Sequence, residues 1–261
     1  MFRRVGILEH IVNNDSETRS RNDVRPAMQL VSNDNSGAPC SGPELDAIRP
    51  LPPARAELVE LFADFRDAGA VGFALSRIAA GGRVLWVQER MAALETGRPF
   101  GQGCEGFGCA MDRLVLACSR NTRDLLWAME EGLRCSSLSA IVGEAWGNAR
   151  ALDFTASKRL AMRAERQGVP VFLLRYNAAR DLSAARQRWN IRSLPSAPHP
   201  HDAKAPGAPR WQAELFRARD TRPGQWTVQY DRAAHRLDLV PAFRNPAVAG
   251  PAGQRPASAA L

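Results

Sequence analysis

Residues 153–175, DFTASKRLAMRAERQGVPVFLLR, decide the fold, because they contain a helix followed directly by a buried strand. Asp153 is a favoured helix N-cap and Gly168 a typical helix end, so a helix is predicted between them. The run VPVFLLR after it is apolar on both faces, as in a strand inside a parallel sheet. LSAIVGEAW at residues 138–146 predicts another such strand. Strand, helix and strand in this order favour a right-handed βαβ unit.

The same pattern extends upstream. RVLWVQ at residues 83–88 and DRLVLACS at residues 112–119 predict two more strands. A helix is predicted in NTRDLLWAMEEGLRCSS, residues 121–137, with Asn121 or Thr122 as its cap. The Gly-rich RPFGQGCEGFGC, residues 98–109, is interpreted as a loop. The fold class predicted is therefore α/β, with a mostly parallel sheet covered by helices on both sides.

Before these strands, residues 55–69 place apolar side chains at the spacing of a helix. Leu58, Leu61, Phe62 and Phe65 recur at intervals of three and four, and the helical pattern continues to a stop at residues 81–82. Residues 1–53 are rich in Asn, Ser, Asp and Pro and are predicted to be a disordered tail. One domain is predicted over residues 54–241, with its βαβ core in residues 54–176.

The pattern changes after Arg175. Several segments between residues 187 and 241 alternate apolar and polar residues and are separated by Pro- and Gly-bearing turns. They predict an antiparallel extension at the edge of the sheet, interrupted by a Pro-rich linker at residues 195–209. Residues 242–261 are low in complexity and are predicted to be a second disordered tail.

Composition restricts the functional classes. The chain has 261 residues, a net charge of +8 and a pI near 10, which suits nucleic acid or acidic protein partners but is equally typical of an Arg-rich solvated surface. Its five cysteines form no zinc-type spacing, and no metal site is predicted. No apolar run is long enough to span a bilayer, and the N-terminus is a poor signal peptide. A cytoplasmic location without membrane partners is therefore expected.

A phosphate-binding loop is not found where an ATPase needs one. The two glycines between residues 54 and 80, Gly69 and Gly72, follow no predicted strand. No GK[ST] motif occurs, and the first lysine is Lys158. The letters of FGQGCEGFG fit a dinucleotide loop, but between a helix and a strand they stand in the wrong order. We therefore expect no cofactor, no catalytic residue and no enzymatic activity.

Two strand-end carboxylates remain as candidates for a site. Glu89 and Glu144 each end a predicted strand, and in a parallel sheet they could meet at the carboxyl edge, where ligands bind. The alternative is that both are polar strand ends without a shared function, and the missing phosphate loop favours it.

Several longer runs resemble the ImuA family, RecA-like mutagenesis accessory proteins of bacteria that are related to the division inhibitor SulA. The resemblance covers roughly residues 70–240. The matching runs are VLWV, RPFGQGCEGFG before DRLVLA, WAMEEGLRCSSLSAIVGE, LDFTASKRLAMRAERQGVPVFLLR, and RWNIRSLPSAP with GAPRWQAELFRARDTRPGQW. The front differs from the family pattern, because the polar tail and residues 55–73 replace its first core strand and Gly-rich turn.

The resemblance implies a RecA-like three-layer core with a degenerate P-loop. It implies an SOS-induced accessory protein, a non-catalytic adaptor in error-prone translesion DNA synthesis after DNA damage. The partners implied are an inactive ImuB-type polymerase and an error-prone replicative-type polymerase, with RecA as a further candidate and DNA binding left open. Arg175 occupies the zone of a RecA-type polar sensor. The alternatives are a RecA-type ATPase and a SulA-like inhibitor of FtsZ.

The candidate partner-binding residues lie in the antiparallel extension. Aromatic residues and arginines dominate the energetics of protein interfaces. The alternatives are core packing for the tryptophans and a solvated strand face for the arginines. The predicted residues are Trp189, Trp211, Arg217, Arg219 and Trp226.

Overall fold

A computed structural model describes residues 49–202 and 204–241 of the chain. The described residues form five α-helices, a 3₁₀ turn at Met111–Arg113 and one ten-stranded sheet. The helices are Gly69–Leu75 (α1), Arg90–Thr96 (α2), Gly101–Glu105 (α3), Thr122–Gly132 (α4) and Phe154–Gln167 (α5). The strands are Arg49–Leu51 (β1), Leu58–Ala63 (β2), Val84–Glu89 (β3), Leu114–Ser119 (β4), Ala140–Trp146 (β5), Val171–Tyr176 (β6), Gln187–Leu194 (β7), Arg210–Ala218 (β8), Gly224–Asp231 (β9) and Arg236–Val240 (β10).

The sheet has the order β1-β10-β9-β8-β7-β2-β6-β5-β3-β4. Six consecutive strands of this order run parallel to one another: β7, β2, β6, β5, β3 and β4. The sheet continues beyond β7 with four strands in antiparallel pairing: β8, β9, β10 and β1. The α/β class and the mostly parallel core are confirmed. The antiparallel extension is also present, but its first strand, β7, lies parallel beside β2.

Two apolar layers cover the sheet. On what we call the first face, side chains from α1, α2 and α3 pack against the sheet around Phe73 and Trp86. On the second face, α4 and α5 pack around Met129 and Leu160. The Asn121 cap of α4 and the Asp153 cap of α5 form as predicted, and Gly168 ends α5 with a positive φ of 72°. Because side chains alternate along a strand, adjacent residues of one strand enter different layers.

The helix predicted over residues 55–69 is wrong. Leu58–Ala63 form β2, which lies between β6 and β7 near the middle of the sheet. All six residues are buried, so the strand has no polar face to reveal the alternation of a strand. A short continuous apolar run fits a helix and a buried strand equally well. The helix in this region is the seven-residue α1, which ends before the predicted stop at residues 81–82.

Two smaller expectations are corrected as well. The Gly-rich segment predicted as a loop contains α3, so it is partly helical. Within the predicted N-terminal tail, Arg49–Leu51 pair with β10 as a short strand. The rest of that tail, residues 1–48, and the predicted C-terminal tail at 242–261 lie outside the described residues. No helix in the described part of the chain is both long and apolar enough to cross a bilayer.

Candidate functional site

The connection from β2 to α1 is a strand–loop–helix unit at the carboxyl edge of the parallel strands. The expectation that no strand precedes Gly69 is therefore wrong, since β2 supplies it. The loop between them presents a carboxylate: Asp67 Oδ1 accepts from the backbone N–H of Gly69 at 2.8 Å. Ser193 donates its N–H to Asp67 Oδ2 at 2.7 Å and its hydroxyl to Oδ1 at 2.5 Å. Asp67 thus ties the start of α1 to the end of β7.

The glycines of α1 serve packing. A Cβ at Gly69 would lie 2.8 Å from Trp211 Cδ1, and one at Gly72 would lie 2.7 Å from Trp211 Cζ2. The ring of Phe107 lies near the same position, because a Cβ at Gly72 would be 3.0 Å from Phe107 Cζ. Such distances are too short for a real side chain, so the small residues let the indole of Trp211 lie directly against the helix. The close approach of Trp211 to α1 therefore explains why positions 69 and 72 are glycine.

A cavity of about 480 Å³ opens beside this loop on the first face of the sheet. Its apolar wall includes Phe65, Phe107 and Trp211, and its polar groups include Asp67 and Glu144. The arginines that line it, Arg66 and Arg98, are exposed. The carboxyl edge of parallel strands is the usual place for a ligand in an open α/β sheet, so this cavity is the leading candidate site.

Glu144 is the buried titratable group of the cavity. Its Oε1 accepts from Trp86 Nε1 at 2.6 Å and its Oε2 from Gln88 Nε2 at 3.1 Å. Burial raises the pKa of Glu144 to about 7, against the opposing effect of the hydrogen bonds from Gln88 and Trp86. At neutral pH the carboxyl group is therefore divided between its two protonation states, and it can donate or accept a proton.

Glu89 does not join Glu144. The side chain of Glu89 points to the second face, where its Oε2 accepts from Thr122 Oγ1 at 3.0 Å and from the backbone N–H of Trp146 at 3.2 Å. Glu144 enters the first face together with Trp86. The two carboxylates therefore share no site, which is the alternative that the sequence favoured, because alternation along the strands separates them. Glu89 instead connects β3 with α4 and β5.

The side chains of Arg175 and its neighbour Tyr176 also lie on opposite faces of the sheet. Tyr176 lines the first-face cavity with Glu144, and burial raises the pKa of its hydroxyl. Arg175 lies on the second face beside Glu60, with its guanidinium 5.4 Å from the centre of the Phe62 ring. The candidate sensor position is thus on the side of the sheet opposite the cavity.

The predicted partner-binding residues divide into buried aromatics and exposed arginines. Trp189 and Trp211 are each 3% exposed, so the core-packing alternative describes them, and Trp226 is half-buried with its ring 6.1 Å from that of Trp189. Arg217 and Arg219 are exposed, and Arg217 Nη1 donates to the carbonyl of Ser183 at 3.2 Å. Partner binding by this set stays a prediction, and the two arginines are its accessible part.

Sequence reasoning missed Asp67 and Glu60. Both residues were missed because residues 58–63 were interpreted as part of a helix and not as strand β2. That interpretation concealed the loop that carries Asp67 and the buried position of the Glu60 carboxylate. The signal for Asp67 was the polar stretch DFRD between an apolar run and the glycines of α1, which is typical of a strand-to-helix turn. Within the described ranges no group of three metal-ligating side chains occurs. Cys104 and Cys109 are buried, and burial raises the pKa of both thiols.

The architecture defines an α/β protein with a mixed sheet and a cavity at the carboxyl edge of its parallel strands. No protein-family model matches the chain. It is similar to Protein ImuA of Caulobacter vibrioides, with 33% identity over 165 residues in each of the strains NA1000 / CB15N and ATCC 19089 / CIP 103742 / CB 15. The match covers 59% of this chain and 63% of each relative, which is less than two thirds of their length. The resemblance to ImuA proteins predicted from the sequence is confirmed by this similarity.

Proposed function

We propose that the protein is a non-catalytic adaptor in a DNA-damage mutagenesis assembly, built on a RecA-like frame and working in the cytoplasm. The similarity to Protein ImuA supports this class of role. The proposed partners are an ImuB-type protein and an error-prone polymerase, with RecA as a further candidate. The six parallel strands with helices on both faces support the RecA-like frame.

The position of Asp67 is the observation that carries the non-catalytic part. In a nucleotide-binding α/β domain the loop after the first core strand holds phosphates with backbone N–H groups and a lysine. Here the Asp67 carboxylate accepts the N–H of Gly69 and two donors from Ser193. A phosphate in the same place would meet a negative charge and would have to displace these hydrogen bonds. Neither Lys158 nor Lys204 is among the residues that line the cavity.

Exposed apolar side chains support a binding role. Among the described residues strand β4 pairs with β3 alone and leaves its other edge open, and Val115 on it is 56% exposed. Trp127 of the neighbouring helix α4 is 66% exposed. Large apolar groups at a surface and an unpaired strand edge are typical of proteins that bind other proteins.

Equilibrium binding of labelled ATP tests the non-catalytic part. We expect no saturable, magnesium-dependent binding up to the millimolar concentrations at which enzymes bind their substrates. Asp67→Asn serves as a comparison, because it removes the negative charge while keeping the side chain's size. Saturable, magnesium-dependent ATP binding by the wild-type chain, or phosphate release from ATP, would favour the RecA-type ATPase and refute the adaptor.

Partner capture from DNA-damaged bacterial cells tests the adaptor part. The full chain is used as bait, and an ImuB-type protein and an error-prone polymerase are expected among the captured proteins. Arg217→Glu combined with Arg219→Glu should reduce their recovery, because both arginines are exposed on β8 and its end. Arg166→Glu, at an exposed position on α5, is the control for a charge reversal elsewhere. Capture of neither partner by the wild-type chain would overturn the proposal, and equal capture by all variants would place the interface away from β8.

A further inference from the structure

A buried cluster of three charged side chains lies on the second face, where β2, β6 and β7 are neighbours. Glu60 is 0% exposed, and Arg175 and Arg188 are each 3% exposed. One carboxylate therefore faces two guanidinium groups, and the cluster carries an excess positive charge. Such a charge in the interior is costly unless it is paired and hydrogen-bonded.

Both carboxylate oxygens of Glu60 have hydrogen-bond donors other than Arg175. Arg188 Nε donates to Glu60 Oε2 at 2.7 Å, and Ser183 Oγ donates to Oε1 at 2.7 Å. The nearest approach of Arg175 to the same carboxylate is 3.8 Å, from Nη1 to Oε1. That distance is longer than a hydrogen bond. Arg175 is thus the surplus cation of the cluster.

The guanidinium of Arg175 also has an unused donor. Among the described residues, Arg175 Nε has no hydrogen-bond partner, and neither has Arg188 Nη2. Buried polar groups in native proteins are nearly always hydrogen-bonded, and each exception calls for an explanation. Burial lowers the pKa of Arg175 and the neighbouring Arg188 adds to this effect, whereas Glu60 and, more weakly, Asp181 oppose it. An anion at this guanidinium would supply both the missing acceptor and the missing charge.

Arg175 lines a second cavity, of about 490 Å³, at the carboxyl edge of β2 and β6. The wall of this cavity also contains three amide side chains and a second arginine: Asn148, Asn177, Asn190 and Arg180. Arg180 lies at the rim, where its guanidinium stacks 4.0 Å from the centre of the Phe216 ring and pairs with Glu214. Asn190 Nδ2 donates to the same Glu214 oxygen at 3.2 Å, so an oxyanion would use the second N–H of this amide. Amide N–H groups and guanidinium forks are the donors that bind tetrahedral oxyanions.

We propose that this second cavity binds a phosphate-type oxyanion, with Arg175 as its buried anchor and Arg180 and the amides at its rim. The site is distinct from the first-face cavity and does not depend on the proposed adaptor role. Asp64 is the acidic group in the lining, and its Oδ1 accepts the N–H of Arg66 at 2.8 Å. The oxyanion is either free phosphate or a phosphodiester of a nucleic-acid strand, since both present the same oxygens.

Inorganic phosphate is the probe, titrated into the full-length protein at constant ionic strength and followed by the midpoint of thermal unfolding. Saturable stabilisation is expected for the wild type, because a ligand that binds the folded state raises its stability. Arg175→Gln should abolish the saturable part. Arg134→Gln removes one charge from a side chain that is 74% exposed and should bind as the wild type does. The non-saturable rise common to all variants is the general salt effect of phosphate.

Two milder variants keep the test decisive where Arg175→Gln does not fold. Arg175→Lys retains the charge but loses the planar fork and should weaken phosphate binding by about tenfold or more. Arg180→Gln, at the rim, should weaken it by a few fold. Wild-type stabilisation without saturation would overturn the proposal, and so would equal affinities in Arg175→Lys, Arg180→Gln and the Arg134→Gln control.

A short thymidylate oligonucleotide distinguishes the two sources of the phosphate group. If it competes with inorganic phosphate and its own binding requires Arg175, the cavity binds phosphodiesters of a nucleic-acid strand. If phosphate binds and the oligonucleotide does not compete, the cavity binds free phosphate. Both results support the oxyanion site and differ only in the source of the group.

Discussion

Replacing Glu144 by Gln should remove a large part of the pH dependence of folding between pH 4.5 and about 7. Burial raises the pKa of Glu144 from its ordinary 4.5 to about 7 in the folded chain. In that interval the folded state holds a proton that the unfolded state has released, so the free energy of unfolding falls as pH rises. The stabilisation is complete below pH 4.5 and is lost by about pH 7.

The magnitude follows from the width of that interval. It spans about 2.5 pH units, and at about 1.4 kcal/mol per pH unit it corresponds to about 3 kcal/mol of folding free energy. Glutamine is neutral throughout and keeps the shape of the protonated carboxyl group. Its oxygen can accept from Trp86 Nε1, but its amide nitrogen would lie opposite the donor Gln88 Nε2. The loss of that hydrogen bond is the same at every pH, so the prediction concerns the change of the difference with pH.

Urea unfolding of both proteins at several values between pH 5 and 8.5 measures this effect. The difference in free energy of unfolding between Glu144→Gln and the wild type should change by about 3 kcal/mol in favour of the variant as pH rises. Glu131→Gln, whose side chain is 41% exposed, is the control for removing a charge at the surface. A difference that stays constant within about 1 kcal/mol would mean that Glu144 ionises as in water and that the cavity is not the apolar environment described above.

Three further variants test the packing and the buried charges by urea unfolding. Gly72→Ala places a Cβ 2.7 Å from Trp211 and should cost about 1–3 kcal/mol, whereas Gly103→Ala, with its nearest neighbour at 3.6 Å, should be neutral or stabilising. Glu60→Gln leaves two buried guanidinium groups without their anion and should cost about 3–5 kcal/mol; a loss below 1 kcal/mol would contradict the burial of the cluster. Asn121→Ala removes the acceptor for the N–H of Asp124 and should cost about 1 kcal/mol.

The sequence predicted the elements that carry local signals. Strands β3, β5 and β6 and helices α4 and α5 were found because apolar runs, caps and a terminal glycine mark them at both ends. Strand β2 was missed because both its faces are buried, so its pattern has no period of two. Its charged residue, Glu60, was no guide, because the arginine that pairs with it most closely, Arg188, is 128 residues further along the chain.

The candidate site was predictable only in part, for a related reason. Glu144 was recognised as a polar residue in a buried strand, which is a local property. The face on which it lies depends on the register of β5 between β3 and β6, and that register is a property of the whole sheet. The role of Asp67 depends in the same way on Ser193, which β7 brings to the end of β2. Contacts between distant segments therefore decide what these local signals mean.

The alternation of side chains gives the carboxyl edge of this sheet two chemically different cavities. On the first face the buried polar group is the carboxyl of Glu144, and the lining arginines, Arg66 and Arg98, are exposed. On the second face the buried polar group is the guanidinium of Arg175, and the lining carboxylate, Asp64, is exposed. Phe65, in the loop after β2, lines both cavities and packs its ring edge against Trp146 at the end of β5. The loop that in a nucleotide-binding domain would hold phosphates here forms a wall between the two cavities. An oxyanion would therefore be bound on the second face, because the excess positive charge of the buried cluster is on that side of Phe65.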